Sequence, residues 1–289
     1  MSAPELFTDP AAWQARCLAA RDGGARLALV PTMGFLHEGH LSLMREARRR
    51  ADQGGRRGLA LASIFVNPTQ FGPGEDLARY PRDLQGDLAK CGAAGIDLVL
   101  APPDPALLFP PEHQTWVSVE RASQGLCGER RPGHFRGVAT VVAKLLGLTR
   151  PQVALFGEKD FQQLAVLRAM ARDLCMGVEV VGMPIVREAD GLAMSSRNAY
   201  LSPGERTSAL ALSRSLFEAR DTVALGARAA APLLSRARAR LEAAGARVDY
   251  VELVDPGTLA PVAVAAPGTV MLLAAFLGKT RLIDNLVLP

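Results

Sequence analysis

Apolar runs and helical stretches alternate along residues 1–183. Arg26 to Val30 is apolar and ends in Pro31-Thr32-Met33-Gly34, after which helical spacing runs from about His37 to Arg50. Leu59 to Val66 is a second, nearly continuous apolar run, and Ile96 to Leu100 and Val153 to Phe156 repeat it with helical stretches between them. Runs this short and this apolar suit parallel strands covered on both faces. Their alternation with helices predicts an α/β fold built on a doubly wound parallel sheet.

The pattern changes after Pro184. Ser202-Pro203-Gly204-Glu205 places a hydroxyl at the N-cap, proline at the first helical position and glutamate at the third, so a helix is predicted to start there and run to about Arg220. An alanine- and arginine-rich helix follows over roughly Ala227 to Ala244, its arginines forming a solvated face. Strand-like runs at Val248 to Val254, Thr269 to Phe276 and Leu282 to Val287 then succeed one another through Pro/Gly turns. Strands without helices between them predict a smaller C-terminal α+β domain over 184–289. There is no internal repeat and no low-complexity linker.

Composition narrows the function classes. A chain of 289 residues, 49% hydrophobic and 21% charged, is long enough for about two cores. A formal net charge of only +4 favours small anionic ligands over nucleic acid. The four cysteines, Cys17, Cys91, Cys127 and Cys175, form no C-x-x-C pair, so they are expected as buried free thiols rather than zinc ligands or disulfides. The longest clean apolar run, Val270 to Leu277, is far short of the roughly 18 residues that span a bilayer. Glu5, Asp9 and Asp22 depart from a secretion signal, and a cytoplasmic location is expected.

The candidate chemistry gathers after the buried strands. In His37-Glu38-Gly39-His40 the two imidazoles share one face of a helix's first turn, with Leu41 and Met44 continuing that face inward. A helix N-terminus is an anion site, and Gly34 and Gly39 let a nucleotide approach the backbone. Two other readings stand beside this one: the histidines cap the helix, or they form an H-x-x-H metal pair. No third ligand at zinc spacing accompanies them, and the only other histidines are His113 and His134.

Asn67-Pro68-Thr69-Gln70-Phe71 follows the second apolar run, with amides for a small substrate's oxygens or simply a turn at Asn-Pro. Phe156-Gly157-Glu158-Lys159-Asp160 opens a helix that carries Gln162 and Gln163, where Lys159 is a point charge for a phosphate or part of an ordinary capped start. Met194-Ser195-Ser196-Arg197 offers hydroxyls and a guanidinium for polyphosphate oxygens from a boundary loop, or is a polar turn. Arg130, Arg131, His134 and Arg136 form a further basic group, phosphate-gathering or solvated.

In their order and spacing, the segments Pro31 to His40, Phe65 to Phe71, Phe156 to Asp160 and Met194 to Arg197 resemble the signature set of the pantothenate synthetase family. The likeness covers nearly the whole chain and is weakest in the last hundred residues. His37 to His40 is similar to the H-x-G-H motif of the wider nucleotidyltransferase superfamily, and the serine loop to its K-M-S-K-S element. Ala193 stands where that element has lysine, which leaves Lys159 as the phosphate-facing lysine. Phe35 fills a position usually held by a small residue.

The resemblance implies a Rossmann-like ATP- and pantoate-binding domain over 1–183, a lid domain over 184–289, and a homodimer. It also implies condensation of pantoate with β-alanine through pantoyl adenylate, releasing AMP and pyrophosphate. It assigns His37, His40, Lys159 and Arg197 to catalysis, His40 as proton donor. Met33, Gly34, Gly39, Gly157, Glu158, Asp160, Val186, Met194, Ser195 and Ser196 would join those four around ATP. Gln70, Gln163, Asn67 and His134 would hold pantoate and β-alanine, and Mg²⁺ on the phosphates would touch Asp87, since this ion keeps waters and few protein ligands. Two rivals remain: a superfamily adenylyltransferase acting on another acid, and a nucleotide-binding module without turnover.

Overall fold

A computed structural model describes residues 3–53, 55 and 57–289. The chain packs as two units: residues up to Glu158 together with Gln163–Pro184, and Lys159–Gln162 together with Ile185–Pro289.

In the first unit six parallel strands form one sheet: β1 (Glu5–Phe7), β2 (Leu27–Thr32), β3 (Leu59–Ile64), β4 (Leu98–Leu100), β5 (Val153–Gly157) and β6 (Glu179–Met183), in the order β1-β4-β3-β2-β5-β6. The helices are α1 (Pro10–Asp22), α2 (Glu38–Ala51), α3 (Leu84–Ala93), α4 (Leu126–Arg130), α5 (His134–Thr149) and α6 (Phe161–Asp173), the last with its first two residues in the second unit. Leu43, Met44 and Ala47 of α2 and Cys91 of α3 bury one sheet face with Ala28, Val30, Ala62, Val99 and Leu155. The alternate residues Leu27, Leu29 and Leu61 are equally buried on the other face, where α5 packs on β2 and α1 on α5. The expected doubly wound sheet is present.

Details differ where a local constraint intervenes. β2 continues through Pro31 and Thr32 instead of turning there. Its pairing with β5 is confined to Ala28 and Leu29, so the donor that Pro31 lacks falls beyond that ladder. The edge strands β1 and β6 carry no long apolar run and escaped the pattern.

The second unit holds α7 (Pro203–Ala224) and α8 (Ala230–Ala243) with an antiparallel sheet of β7 (Arg247–Val254), β8 (Val270–Leu277) and β9 (Thr280–Val287). The cap at Ser202 forms as its sequence predicts. The Ser202 hydroxyl accepts from Glu205 N at 3.3 Å, and Glu205 accepts from Ser202 N at 2.9 Å. Leu212 and Leu216 of α7, Leu241 of α8, and Leu253, Met271 and Leu273 share one core.

Among the described residues no helix is long and apolar enough to cross a membrane. Cys17, Cys91 and Cys127 are buried as expected, whereas Cys175 is exposed. Cys175 lies past the end of α6 with φ +51°, outside the helical backbone. Burial pushes the Cys17 and Cys91 thiols up to about 12, and the thiolate is the reactive form. A thiol reagent at about pH 8 is therefore expected to label Cys175 in the native protein and to reach Cys17 and Cys91 only after denaturation. Early mass-spectrometric labelling of either buried thiol would contradict this packing.

Candidate active site

The strand order reverses between β2 and β5, and in open α/β sheets ligands bind at such a switch point, outside the carboxyl ends of the strands. The chain leaves β2 through Met33 and Gly34 and enters α2 at His37, its N-cap. Gly34 has φ +80° and Phe35 φ +51°, two successive left-handed residues. The buried carboxylate of Asp87 holds them. Its Oδ2 accepts from Phe35 N and its Oδ1 from Leu36 N, each at 2.7 Å. One turn further along α3, Lys90 Nζ donates to the Leu36 carbonyl at 2.8 Å. A side chain at Gly34 would come within 2.9 Å of Asp87 Oδ2 and of Ile64. The clamp therefore needs glycine there as well as the carboxylate.

Past the clamp, His37 N donates to His40 Nδ1 at 3.3 Å, and the ring centroids are 4.1 Å apart. A backbone N–H can only donate, so His40 Nδ1 carries a lone pair and a neutral ring has its proton on Nε2. The capping role and the functional role are thus compatible: the cap fixes the tautomer that presents Nε2–H as a donor. Met44 on the same helix face is fully buried and Leu41 half-buried.

Gln70 is fixed from several sides. Its Nε2 donates to Met33 Sδ at 3.2 Å, and Asn67 Nδ2 donates to its Oε1 at 3.0 Å. Asn67 also donates to the Gly137 carbonyl at 3.2 Å and accepts from Thr69 N and Oγ1. Buried and engaged at both ends of its amide, Asn67 shapes the turn and orients Gln70. His134 Nδ1 lies 2.8 Å from the Gln70 carbonyl, and the Arg131 guanidinium joins Glu75 at 2.6 Å. Burial is the largest single influence on the Glu75 carboxyl and raises it, but the Arg131 hydrogen bond and charge, the Gly72 backbone hydrogen bond and the His134 charge together outweigh it and hold the group below the usual carboxylate range. Gly157 closes β5, Glu158 opens the short 3-10 turn Glu158–Asp160, and Gln163 is half-buried on α6.

The remaining candidates belong to the second unit. Val186 O accepts from Met194 N at 3.0 Å and Glu188 N donates to Leu192 O at 2.8 Å, folding residues 186–194 into a hairpin. Ser195 then caps the short 3-10 turn Ser196–Tyr200, accepting from Arg197 N at 3.2 Å, and Ser196 is buried. Lys159 and Ser195 line one small cavity with Ala193, Asn198 and Asp284, while Asp160 is exposed. Of the remaining basic residues, Arg136 stacks over the Trp116 ring at 4.3 Å.

Several positioning residues escaped the sequence reading. A Cβ on Gly137 would lie 2.3 Å from the Thr69 carbonyl oxygen, so only glycine lets α5 approach the Gln70 turn. Lys90, Glu75, Arg187, Asp284 and Asn285 act across long sequence separations, which spacing does not reveal.

The sequence pattern of the family described as Pantoate-beta-alanine ligase matches residues 5–287. The chain belongs to that family. It is 77% identical over 289 residues to the pantothenate synthetase of Anaeromyxobacter dehalogenans, with all of both chains covered. It is 63% identical over 270 residues to that of Myxococcus xanthus, covering 93% of this chain and 90% of the relative. The crystal structure of pantothenate synthetase from Thermus thermophilus superposes with TM-score 0.90 at 44% identity, covering 99% of this chain and 100% of that one. A pantoate-beta-alanine ligase from Francisella tularensis, complexed with beta-gamma ATP and beta-alanine, does so with TM-score 0.82 at 27% identity, covering 99% and 98%. As a member of the pantoate-beta-alanine ligase family, the chain is an ATP-dependent ligase.

The clamp makes a prediction. In Asp87→Asn one of the two backbone donors meets an amide NH₂ instead of an acceptor. A buried donor left unsatisfied costs about 1–3 kcal/mol, to be read as a lower denaturant midpoint. The loosened histidine turn is expected to slow adenylation at the same time, and an unchanged rate would count against the clamp.

Proposed function

We propose that the chain activates (R)-pantoate by adenylation and transfers the pantoyl group to β-alanine, making pantothenate, with chemistry centred on the His37–His40 turn. The observation that carries this is the oriented donor: His40, its tautomer set by the His37 N–H, at the switch point of the sheet. The family membership supports the substrates.

In the first step a pantoate carboxylate oxygen attacks the α-phosphorus, the bond to the β-phosphate oxygen breaks, and pyrophosphate leaves. Carboxylate and triphosphate repel each other, so cationic and N–H donors must hold them in line. His40 and His37, with Met33, Gly34 and Gly39, form the wall facing the phosphates from the first unit, and Gly157 and Glu158 lie beside the nucleotide. Lys159, Asp160, Val186, Met194, Ser195, Ser196 and Arg197 complete the ATP-binding set, Lys159 and Arg197 stabilising the departing charge. Gln70 and Gln163 bind pantoate, with Asn67 and His134 holding Gln70 in place. In the second step the β-alanine amine attacks the pantoyl carbonyl, the carbonyl–oxygen bond to AMP breaks, and the amine loses a proton.

Magnesium fits this site as an ion held mainly by the substrate. No group of three or more His, Cys, Asp or Glu among the described residues forms a protein cage, and Mg²⁺ characteristically takes one or two carboxylates plus phosphates and waters. Asp87, each oxygen accepting one N–H, is the carboxylate that would contribute. When bound, the ion neutralises charge on the β and γ phosphates. We further propose that the enzyme works as a homodimer in the cytoplasm, where ATP is at hand.

Pyrophosphate exchange into ATP separates this reading from its rivals. Exchange is expected only with pantoate among a panel of small acids; exchange without pantoate points to another acid, and ATP binding without AMP release to a module lacking turnover. His40→Ala and Lys159→Ala are each expected to slow adenylation by at least about 100-fold, the scale of losing one preorganised donor. Near-normal single-turnover rates would remove those residues from the mechanism.

A further inference from the structure

The last strand carries two polar residues in the middle of an apolar run. Asp284 is 2% exposed and Asn285 4%, and as neighbours on β9 they project to opposite sides of the strand. On one side Asp284 takes the Arg187 guanidinium in a two-pronged pair, Nη1 to Oδ2 at 2.7 Å and Nη2 to Oδ1 at 2.9 Å. Its Oδ1 also accepts from Asn285 N at 2.8 Å. Arg187 donates onward to the Gly191 carbonyl at 3.1 Å, inside the hairpin that leads to Ser195. On the other side Asn285 Nδ2 donates to the Lys159 carbonyl at 3.0 Å. Asp284 shares the small cavity with Lys159, Ser195 and Asn198.

A buried ion pair is a poor source of stability, because desolvation offsets the attraction and an apolar pair of the same volume does as well or better. Its distinctive property is geometry, since a guanidinium–carboxylate fork fixes orientation as well as distance. Here the Asp284–Arg187 pair and the Asn285–Lys159 hydrogen bond end on the two segments that carry the phosphate-facing groups proposed for this unit. We infer that Asp284 and Asn285 form a positioning element for adenylation, holding the Lys159 backbone and the Arg187–Ser195 hairpin in one register. The pair acts through Lys159 and the serine loop, so the inference rests on the phosphate-facing role proposed for Lys159.

The test compares half-reactions and backgrounds. Asn285→Ala and Asp284→Asn are each expected to slow single-turnover adenylation about 10- to 100-fold, since a displacement of about 1 Å in a positioned group costs up to about 100-fold. Aminolysis of supplied pantoyl adenylate by β-alanine is expected to keep its rate, because the phosphate-facing groups have finished their part by then. In a Lys159→Ala background, Asn285→Ala is expected to add little, as coupled residues are non-additive. Equal losses in both half-reactions, or the same loss in both backgrounds, would overturn the inference in favour of a purely structural role. Should Asp284→Asn not fold, Asn285→Ala decides alone. A slow Lys159→Ala beside a normal Asn285→Ala would overturn this inference only, whereas a normal Lys159→Ala would overturn the phosphate role and the inference with it.

Discussion

Gly34 and Phe35 both take left-handed backbone, a conformation that costs a residue with a Cβ roughly 1–2 kcal/mol. Something must hold the second of them there. Asp87 does so with two 2.7 Å hydrogen bonds from consecutive N–H groups, and Lys90 grips the next carbonyl. Charge-assisted bonds of that kind are about twice as strong as neutral ones, enough to offset the strain at Phe35. The rest follows from this clamp. With the turn fixed, α2 starts at a defined place over the carboxyl end of β2, His37 becomes the N-cap, and His40 has no choice of tautomer. At Phe35 the clamp acts through the backbone N–H.

What was legible in the sequence was whatever a run or a short spacing encodes. The central strands β2, β3 and β5 are covered on both faces, so each is a continuous apolar run, and their alternation with helices yields the doubly wound sheet. The cap at Ser202 is legible for the same reason: its partners are three residues apart. Edge strands need only one covered face, and Glu5–Phe7 and Glu179–Met183 are too short and too exposed to leave a run.

The site divides along the same line. His37 and His40 were found because their relation is local. Asp87 reaches Phe35 across 52 residues, Arg187 reaches Asp284 across 97, and Asn285 reaches Lys159 across 126. A polar residue inside a strand, read locally, is an outward-facing position. Only the distant partner turns it into a buried contact. Gly137 is hidden in the same way, as one glycine in a helix until the Thr69 carbonyl is placed against it.

The chain passes from one unit to the other between Glu158 and Lys159 and returns between Gln162 and Gln163. Four residues that continue a first-unit strand therefore belong to the packing of the second, where Asn285 holds the Lys159 carbonyl. A boundary sought from composition alone falls at Pro184, because composition follows long segments and four residues leave no trace in it. A lysine with the phosphate-facing role proposed for Lys159 gains from such an arrangement. Its side chain needs fixed surroundings, and the short Glu158–Asp160 turn supplies few packing contacts of its own. Lys159 draws rigidity from β9 instead, a strand hydrogen-bonded along its full length to β8 and packed on α7. The position of a single charge is thus referred to the most regular part of the second unit, at the cost of placing a polar pair in the middle of its last strand.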